Sequence, residues 1–247
     1  MQALALLPVV VKVRKILVMS GKGGVGKTTV AVNLAVRLAD KHRVGLLDID
    51  LHGPNVPRML SLEGEKLVQK EGKLVPVKYN KNLEVVSIGF LLESRDKPVI
   101  WRGPLKHKLI NQFLNDVKWG DNDFFVVDLP PGTGDEAISI AQLIPKPVEA
   151  ILVSTPQEVS LLDVRKAIEF SRELGLKIVG IIENMSGEIF GSGKVEELAK
   201  EKGVRFLGAI GLNKEISRCG DKGKPFVNET NSKEFSEIIK KIEKVND

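Results

Sequence analysis

Short apolar runs alternate with longer amphipathic segments along most of the chain. The runs are four or five residues long, and the segments between them repeat apolar positions at helical spacing. This alternation predicts an α/β fold with a mostly parallel sheet and helices on both faces. The predicted strands are residues 16–19, 44–47, 85–88, 124–127, 150–153, 178–182 and 206–210. The predicted helices are residues 28–39, 105–116, 136–143, 160–174 and 194–202.

The chain shows no internal boundary. No linker, low-complexity tract or repeat divides it, so we predict a single domain over residues 1–247. Residues 1–13 are predicted to form an N-terminal arm or edge strand. Residues 61–84 are predicted to form a hairpin that extends from the domain. Residues 232–247 predict a C-terminal helix whose apolar positions are spaced to pack on the domain. Lysines lie between those positions, so docking on a membrane surface is the alternative.

Composition narrows the class of protein. Apolar residues make up 43% and charged residues 28%, which is typical of a water-soluble domain. Aromatic residues make up only 5% and the lysines are scattered, which argues against a nucleic-acid partner. The single cysteine, Cys219, fits a reducing compartment, and residues 1–13 are too short to span a bilayer. We therefore expect a cytoplasmic protein with neither a nucleic-acid nor a membrane partner.

One segment contains a complete phosphate-binding motif. Residues 20–29 read Ser-Gly-Lys-Gly-Gly-Val-Gly-Lys-Thr-Thr, between a predicted strand and a predicted helix. The glycines let backbone N–H groups point at phosphate oxygens, and the helix N-terminus adds partial positive charge. Lys27 is expected to reach the β- and γ-phosphates of ATP, and the Thr28 hydroxyl to bind Mg²⁺. The predicted ATP-binding residues of this loop are Gly21, Lys22, Gly23, Gly24, Val25, Gly26, Lys27, Thr28 and Thr29.

Carboxylates follow two of the predicted strands. Asp48 and Asp50 come after residues 44–47, and Asp128 comes after residues 124–127. A charge at the end of a buried strand is costly unless it serves a ligand. Asp128 and Asp50 are therefore predicted to hold Mg²⁺ together with Thr28, and Asp50 also to orient the attacking water. For Asp48, capping of the following turn is the alternative.

Beyond these motifs, the chain resembles the Mrp/ApbC family of MinD-like P-loop ATPases. The strings that carry the resemblance are residues 48–55, 101–104, 119–121, 128–136, 183–186 and 221–225, within about residues 13–230. The resemblance implies a MinD-like P-loop NTPase fold and a homodimeric cytosolic ATPase. It also implies that this ATPase carries iron–sulfur clusters and passes them between scaffold and client proteins.

The resemblance also implies roles for particular residues. By spacing alone Lys22 could equally be a solvated charge, but the loop resembles the deviant Walker A loop of the MinD class. In that class the early lysine reaches across a homodimer to the partner's nucleotide, which makes Lys22 catalytic together with Lys27 and Asp50. Asn184 would hydrogen-bond adenine, and Ile210 and Leu212 would flank the base.

The chain departs from the family in one respect. The family places Cys-x-x-Cys between its Asn-Met-Ser and Ile-Phe-Gly-Ser-Gly strings, whereas residues 184–193 contain no cysteine. Two copies of Cys219 supply at most two of the four thiolates of a shared cluster. An iron–sulfur cluster is therefore a doubtful cofactor. The alternative function is that of a nucleotide-switched positioning protein on a membrane or on DNA, as in the MinD and ParA branches.

Overall fold

The computed structural model of the protein describes residues 13–51, 53–91 and 103–244. The strands in these ranges are β1 Arg14–Ser20, β2 Val44–Asp48, β3 Val68–Lys70, β4 Lys73–Val75, β5 Val77–Lys78, β6 Leu83–Ser87, β7 Phe124–Asp128, β8 Glu149–Ser154, β9 Lys177–Ser186 and β10 Phe206–Gly211. The helices are α1 Lys27–Leu38, α2 Val56–Met59, α3 Gly103–Asn115, α4 Asp135–Leu143, α5 Glu158–Glu173, α6 Lys194–Glu201, α7 Lys214–Asp221, α8 Phe226–Glu229 and α9 Lys233–Glu243.

The main sheet has eight strands in the order β10-β9-β8-β1-β7-β2-β6-β5. Neighbouring strands from β10 to β6 in this order are parallel, and only the short edge strand β5 pairs antiparallel, with β6. The helices that connect parallel strands cover the two faces of the sheet. The predicted α/β fold with a mostly parallel sheet is confirmed.

Successive residues of the central strand β1 point to opposite faces of the sheet and enter two separate cores. Ile16 and Val18 lie in the core formed with α1 and α9. Leu17 and Met19 lie in the core formed with α3, α4, α5 and α6. All four side chains are fully or almost fully buried. Burial on both faces explains why this strand is continuously apolar and does not alternate with polar residues.

All predicted strands and helices are present, and most of their ends differ by one or two residues. The largest difference is at β9, which continues to Ser186 and does not end at residue 182. The hairpin predicted within residues 61–84 is the antiparallel pair β3 and β4. The helices α2 and α8 were not predicted, because four residues are too few to show an apolar period.

The C-terminal helix α9 packs on the domain. Ser232 caps it by accepting a hydrogen bond from the Phe235 backbone N–H at 3.4 Å. Its apolar face is buried against β10 and α1, so that this face is not available to a membrane surface. Val245 and the predicted arm before Val13 lie outside the described residues. Within the described ranges, no helix is both long and apolar enough to cross a bilayer.

Candidate functional site

Polar side chains meet where the central strands end. β1, β7, β2 and β6 are consecutive and parallel, so their carboxyl ends lie along one edge of the sheet. In the strand register, Asp48 is the partner of both Asp128 and Ser87, and Val18 is the partner of Asp128. The loop that follows β1 therefore lies beside three polar strand ends.

The loop between β1 and α1 has the backbone that phosphate binding requires. Gly24 and Gly26 have φ values of 81° and 82°, a left-handed conformation that residues with a Cβ adopt at a cost. Gly26 is the N-cap of α1, and no side chain caps the helix there. Gly21 packs against the backbone of Asp163 in α5 so closely that a Cβ would collide with it. The N-terminal N–H groups of α1 are thus free of a side-chain cap and can meet an anion.

The Asp128 carboxylate joins the loop to the neighbouring strand. Lys27 Nζ donates to Asp128 Oδ1 at 2.6 Å, and Thr28 Oγ1 donates to Asp128 Oδ2 at 2.7 Å. Asp128 is completely buried and Lys27 is almost so. Asp50 lies near the same point, with its Oδ2 3.9 Å from Lys27 Nζ. The structure therefore brings together four residues that were predicted from separate stretches of sequence.

Asp50 is held by backbone groups around it. Its Oδ1 accepts a hydrogen bond from the Gly53 N–H at 3.2 Å, and its own N–H donates to Asp48 Oδ1 at 3.2 Å. The second oxygen of Asp48, Oδ2, accepts from Ser87 Oγ at 2.8 Å. Asp48 thus orients the turn that carries Asp50, as the capping interpretation anticipated.

Asp48 and Asp128 are buried side by side, and this changes their protonation. Burial raises the pKa of Asp48 to about 8, and the nearby Asp128 carboxylate shifts it in the same direction. Burial also raises the pKa of Asp128, while the Lys27 ammonium and the Thr28 hydroxyl oppose that rise. Two neighbouring carboxyl groups that resist joint ionisation form a site where an added cation is stabilising.

The three residues predicted to contact the base differ in how deeply they are buried. Asn184 is buried, and its Nδ2 donates to the Val25 carbonyl at 2.8 Å, directly beside Gly26. Leu212 is 44% exposed, and its N–H donates to the Ser186 carbonyl at 2.8 Å. Ile210 is packed in the core beneath. Leu212 is thus the most exposed of the three side chains, and Ile210 is the most deeply buried.

Lys22 lies at the outer side of the loop. Its carbonyl accepts from Ser20 Oγ at 2.9 Å, which fixes the start of the loop. Residue Lys22 is partly exposed and forms no ion pair with any other residue in the described ranges.

The segment after β9 contains no ligand for a soft metal. Gly187 and Gly191 close a short turn through reciprocal N–H to carbonyl hydrogen bonds of 2.9 and 2.7 Å. Buried Glu183 holds the start of α6 by accepting from the N–H groups of Gly193 and Val195, each at 3.0 Å. Cys219 is buried in α7, and burial raises the pKa of its thiol. Among the described residues, no three His, Cys, Asp or Glu side chains are grouped as metal ligands.

Two polar residues of this region were not predicted from sequence. Ser87 ends β6 and contacts Asp48, but a serine at a strand end carries no distinctive signal. Glu183 precedes Asn184 in β9 and is fully buried, with its acceptor role visible only in three dimensions.

A phosphate-binding loop after the central strand of a parallel sheet, beside a buried lysine–aspartate pair, defines a P-loop NTPase. The chain belongs to the ParA group of this class, in the family described as NUBPL iron-transfer P-loop NTPases, whose profile matches residues 11–245.

Similar proteins have names that agree with this family. The iron-sulfur cluster carrier protein of Saccharolobus solfataricus is 46% identical over 246 residues, which cover 94% of this chain and 83% of that protein. The cytosolic Fe-S cluster assembly factor NUBP2 of Rattus norvegicus is 44% identical over 229 residues, which cover 87% of this chain and 84% of that protein. These names favour the cluster-carrier interpretation over that of a positioning protein.

Solved structures show the same fold. The nucleotide-binding protein of Archaeoglobus fulgidus in complex with ADP superposes with a TM-score of 0.77 at 36% identity, over 90% of each chain. The septum site-determining protein MinD of Pyrococcus horikoshii, complexed with Mg-ADP, has a TM-score of 0.75 at 26% identity. That comparison covers 95% of this chain and 96% of MinD, and it confirms the MinD-like fold.

Proposed function

We propose that this chain is a magnesium-dependent ATPase that acts as a homodimer in cytoplasmic iron–sulfur cluster assembly. The observation that carries the ATPase proposal is the convergence of Lys27, Thr28, Asp50 and Asp128 at the N-terminus of α1. A helix N-terminus, a buried ammonium group and two carboxylates suit a nucleotide triphosphate and its cation.

The donors around Asp128 fit a magnesium ion. Mg²⁺ prefers oxygen ligands and takes only one or two carboxylates from the protein, with phosphates and waters completing its shell. The Thr28 hydroxyl and the carboxylates of Asp128 and Asp50 are oxygen donors of this kind. When bound, the ion would neutralise charge on the β- and γ-phosphate oxygens.

Each protein group has a separate task in hydrolysis. The backbone N–H groups of residues 23–28 bind the phosphates, and Lys27 exchanges its contact with Asp128 for the β- and γ-phosphates. Asp50, held by Asp48 and Gly53, orients the attacking water towards the γ-phosphate. Asn184, at the rear of the loop, hydrogen-bonds the adenine, and Leu212 covers one face of the base.

Two substitutions separate binding from hydrolysis. Lys27→Ala removes the ammonium group that holds the phosphates, so we expect loss of tight binding of a fluorescent ATP analogue. Asp50→Ala leaves that binding largely intact and stops phosphate release, because Asp50 acts on the water. Lys41→Ala, at an exposed position after α1, is the control for loss of a lysine. A normal hydrolysis rate in Asp50→Ala would show that the water is oriented by another group.

The dimer proposal rests on the edge of the sheet that carries the loop. Val159, Leu162 and Ile189 are 62%, 60% and 76% exposed, more than any other large apolar side chain in the described part of the chain. All three follow β8 or β9 at the same edge as Lys22. An exposed apolar surface beside a lysine suits a second copy, in which Lys22 reaches the partner's nucleotide.

Light scattering tests this dimer. The Asp50→Ala protein with ATP should have twice the monomer mass, and Lys22→Ala should bind nucleotide but lose hydrolysis. A monomer at all concentrations with ATP would contradict the dimer proposal.

The proposed role in iron–sulfur cluster assembly rests on the names of related proteins. The side chains of this chain limit how it could bind a cluster. Cys219 is buried, and no described group of residues supplies four thiolates, so a cluster would need ligands from a scaffold or client protein. We therefore expect the purified protein to be colourless, with no stable four-iron cluster after anaerobic reconstitution. About four iron and four sulfide per dimer after desalting would contradict this expectation. Insertion of Cys-x-x-Cys between Ser186 and Ile189 should create the capacity to bind a cluster.

A further inference from the structure

An unbroken chain of hydrogen bonds runs from the end of β6 to the ATP site. The Gly89 N–H donates to Ser87 Oγ at 3.0 Å, and Ser87 Oγ donates to Asp48 Oδ2 at 2.8 Å. Asp48 Oδ1 accepts from the Asp50 N–H at 3.2 Å. The chain therefore joins the turn after β6 to the backbone of the residue proposed to orient water.

Ser87 occupies the middle of this chain and has no solvent contact. Its exposed fraction is 0%, as is that of Asp48, so no water can replace a missing hydroxyl without entering the core. The hydroxyl is both a donor and an acceptor, since it donates to Asp48 and accepts from the Gly89 N–H. A Cβ on Gly89 would lie 3.2 Å from Ser87 Oγ and 3.0 Å from Pro57 Cγ, so the surroundings hold the hydroxyl closely.

The N–H bond from Asp50 to Asp48 helps to set the backbone at Asp50. Asp50 lies two residues beyond the end of β2. The Ile49 N–H donates to the Asp128 carbonyl at 3.2 Å and the Asp50 N–H donates to Asp48 Oδ1 at 3.2 Å, so both bonds tie this part of the backbone to the sheet edge. Asp48 in turn is fixed by Ser87 on the neighbouring strand, in register with it.

We propose that Ser87 is a positioning residue for ATP hydrolysis, which sets the orientation of Asp50 by fixing the Asp48 carboxyl group. The inference rests on the proposed role of Asp50. Ser87 does not touch the nucleotide; it acts through two intervening groups. Its loss should therefore slow the chemical step and leave nucleotide binding unchanged.

The test separates kcat from binding. Ser87→Ala should lower kcat about tenfold, the factor expected when one buried hydrogen bond in a network is lost. The KM for ATP and the Kd of a fluorescent ATP analogue should stay within about twofold of the original values, since uniform binding is not affected. Ser87→Thr keeps the hydroxyl and should recover most of kcat, which a purely structural role would not require.

A matched control measures the effect of losing a buried hydroxyl elsewhere. Ser171 is also fully buried, and its Oγ donates to the Ala167 carbonyl at 2.7 Å within α5. Ser171→Ala should lower the Tm without changing kcat. If Ser87→Ala does not fold, Ser87→Cys keeps the size, weakens the donor, and serves the same test.

The outcomes distinguish this inference from the proposed function. If Asp50→Asn is inactive and Ser87→Ala turns over normally, the positioning role is wrong and the ATPase assignment stands. If Asp50→Asn hydrolyses ATP at the normal rate, the role of Asp50 fails and the positioning role of Ser87 fails with it. If the unmodified protein does not hydrolyse ATP, the proposed function itself fails. The positioning role is also overturned if KM rises in Ser87→Ala as much as kcat falls, or if Ser87→Thr loses as much of kcat as Ser87→Ala does.

Discussion

The Lys27–Asp128 pair allows a test of the site that needs no nucleotide. The ammonium and carboxylate groups are 2.6 Å apart, with side-chain exposures of 5% and 0%. Lys27→Met removes the ammonium group and leaves the Asp128 carboxylate with Thr28 as its remaining side-chain donor. Asp128→Asn removes that negative charge and leaves the buried ammonium group with the Asp50 carboxylate 3.9 Å away.

The size of the effect follows from this burial. Breaking one side of a buried ion pair costs about 3–5 kcal/mol, because the surviving charge loses its close partner and is not rehydrated. We expect each single variant to lose about 3 kcal/mol of unfolding free energy. The double variant should lose about 2 kcal/mol less than the sum of the two, since it leaves no uncompensated charge.

Urea unfolding without nucleotide measures these free energies. The unfolding free energy that Lys27→Met loses should also become smaller as the pH falls, because removal of the ammonium group further raises the pKa of folded Asp128. A carboxyl group with a raised pKa favours the folded state while it is protonated, and this contribution is lost as the pH rises through that pKa. Additive effects of the two substitutions, within about 0.5 kcal/mol, would refute the reasoning.

Three further results are expected. Folded Asp48 has a pKa of about 8 against an ordinary value of 3.8, so its contribution to stability is lost as the pH rises through that window. Asp48→Asn should therefore reduce the fall of the unfolding free energy between about pH 5 and 8, which urea unfolding at several pH values measures. An unchanged dependence on pH would contradict the raised pKa of Asp48. Gly26→Ala should lower the unfolding free energy by at least about 1 kcal/mol, because Gly26 has a φ of 82° and an added Cβ would meet the Asn184 side chain. Urea unfolding measures this loss, with Gly134→Ala as the control because Gly134 has open space around it. The Cys219 thiol should react with an aromatic disulfide reagent only when the protein unfolds, because burial both shields it and raises its pKa; rapid reaction of the folded protein would show an accessible thiolate.

The sequence was sufficient for the fold and for the phosphate loop because both depend on local patterns. A parallel sheet buried on two faces requires continuous apolar runs, which are visible at β1, β2 and β7. The loop that begins at Gly21 requires fixed residue types at fixed spacing, because its own backbone forms the binding surface. A resemblance carried by strings spread over most of the chain then identified the family that the comparisons support.

Tertiary structure alone decided which side chains meet and what their protonation is. Ser87, Asp48 and Asp128 are far apart in the sequence and become neighbours because β6, β2 and β7 are adjacent and in register. Ser87 has no distinctive local sequence, and the raised pKa of Asp48 arises from burial and from the charge on another strand. Strand order and register are long-range properties of the packed sheet, so the sequence located the ends of the strands but not the hydrogen-bonded chain that connects them.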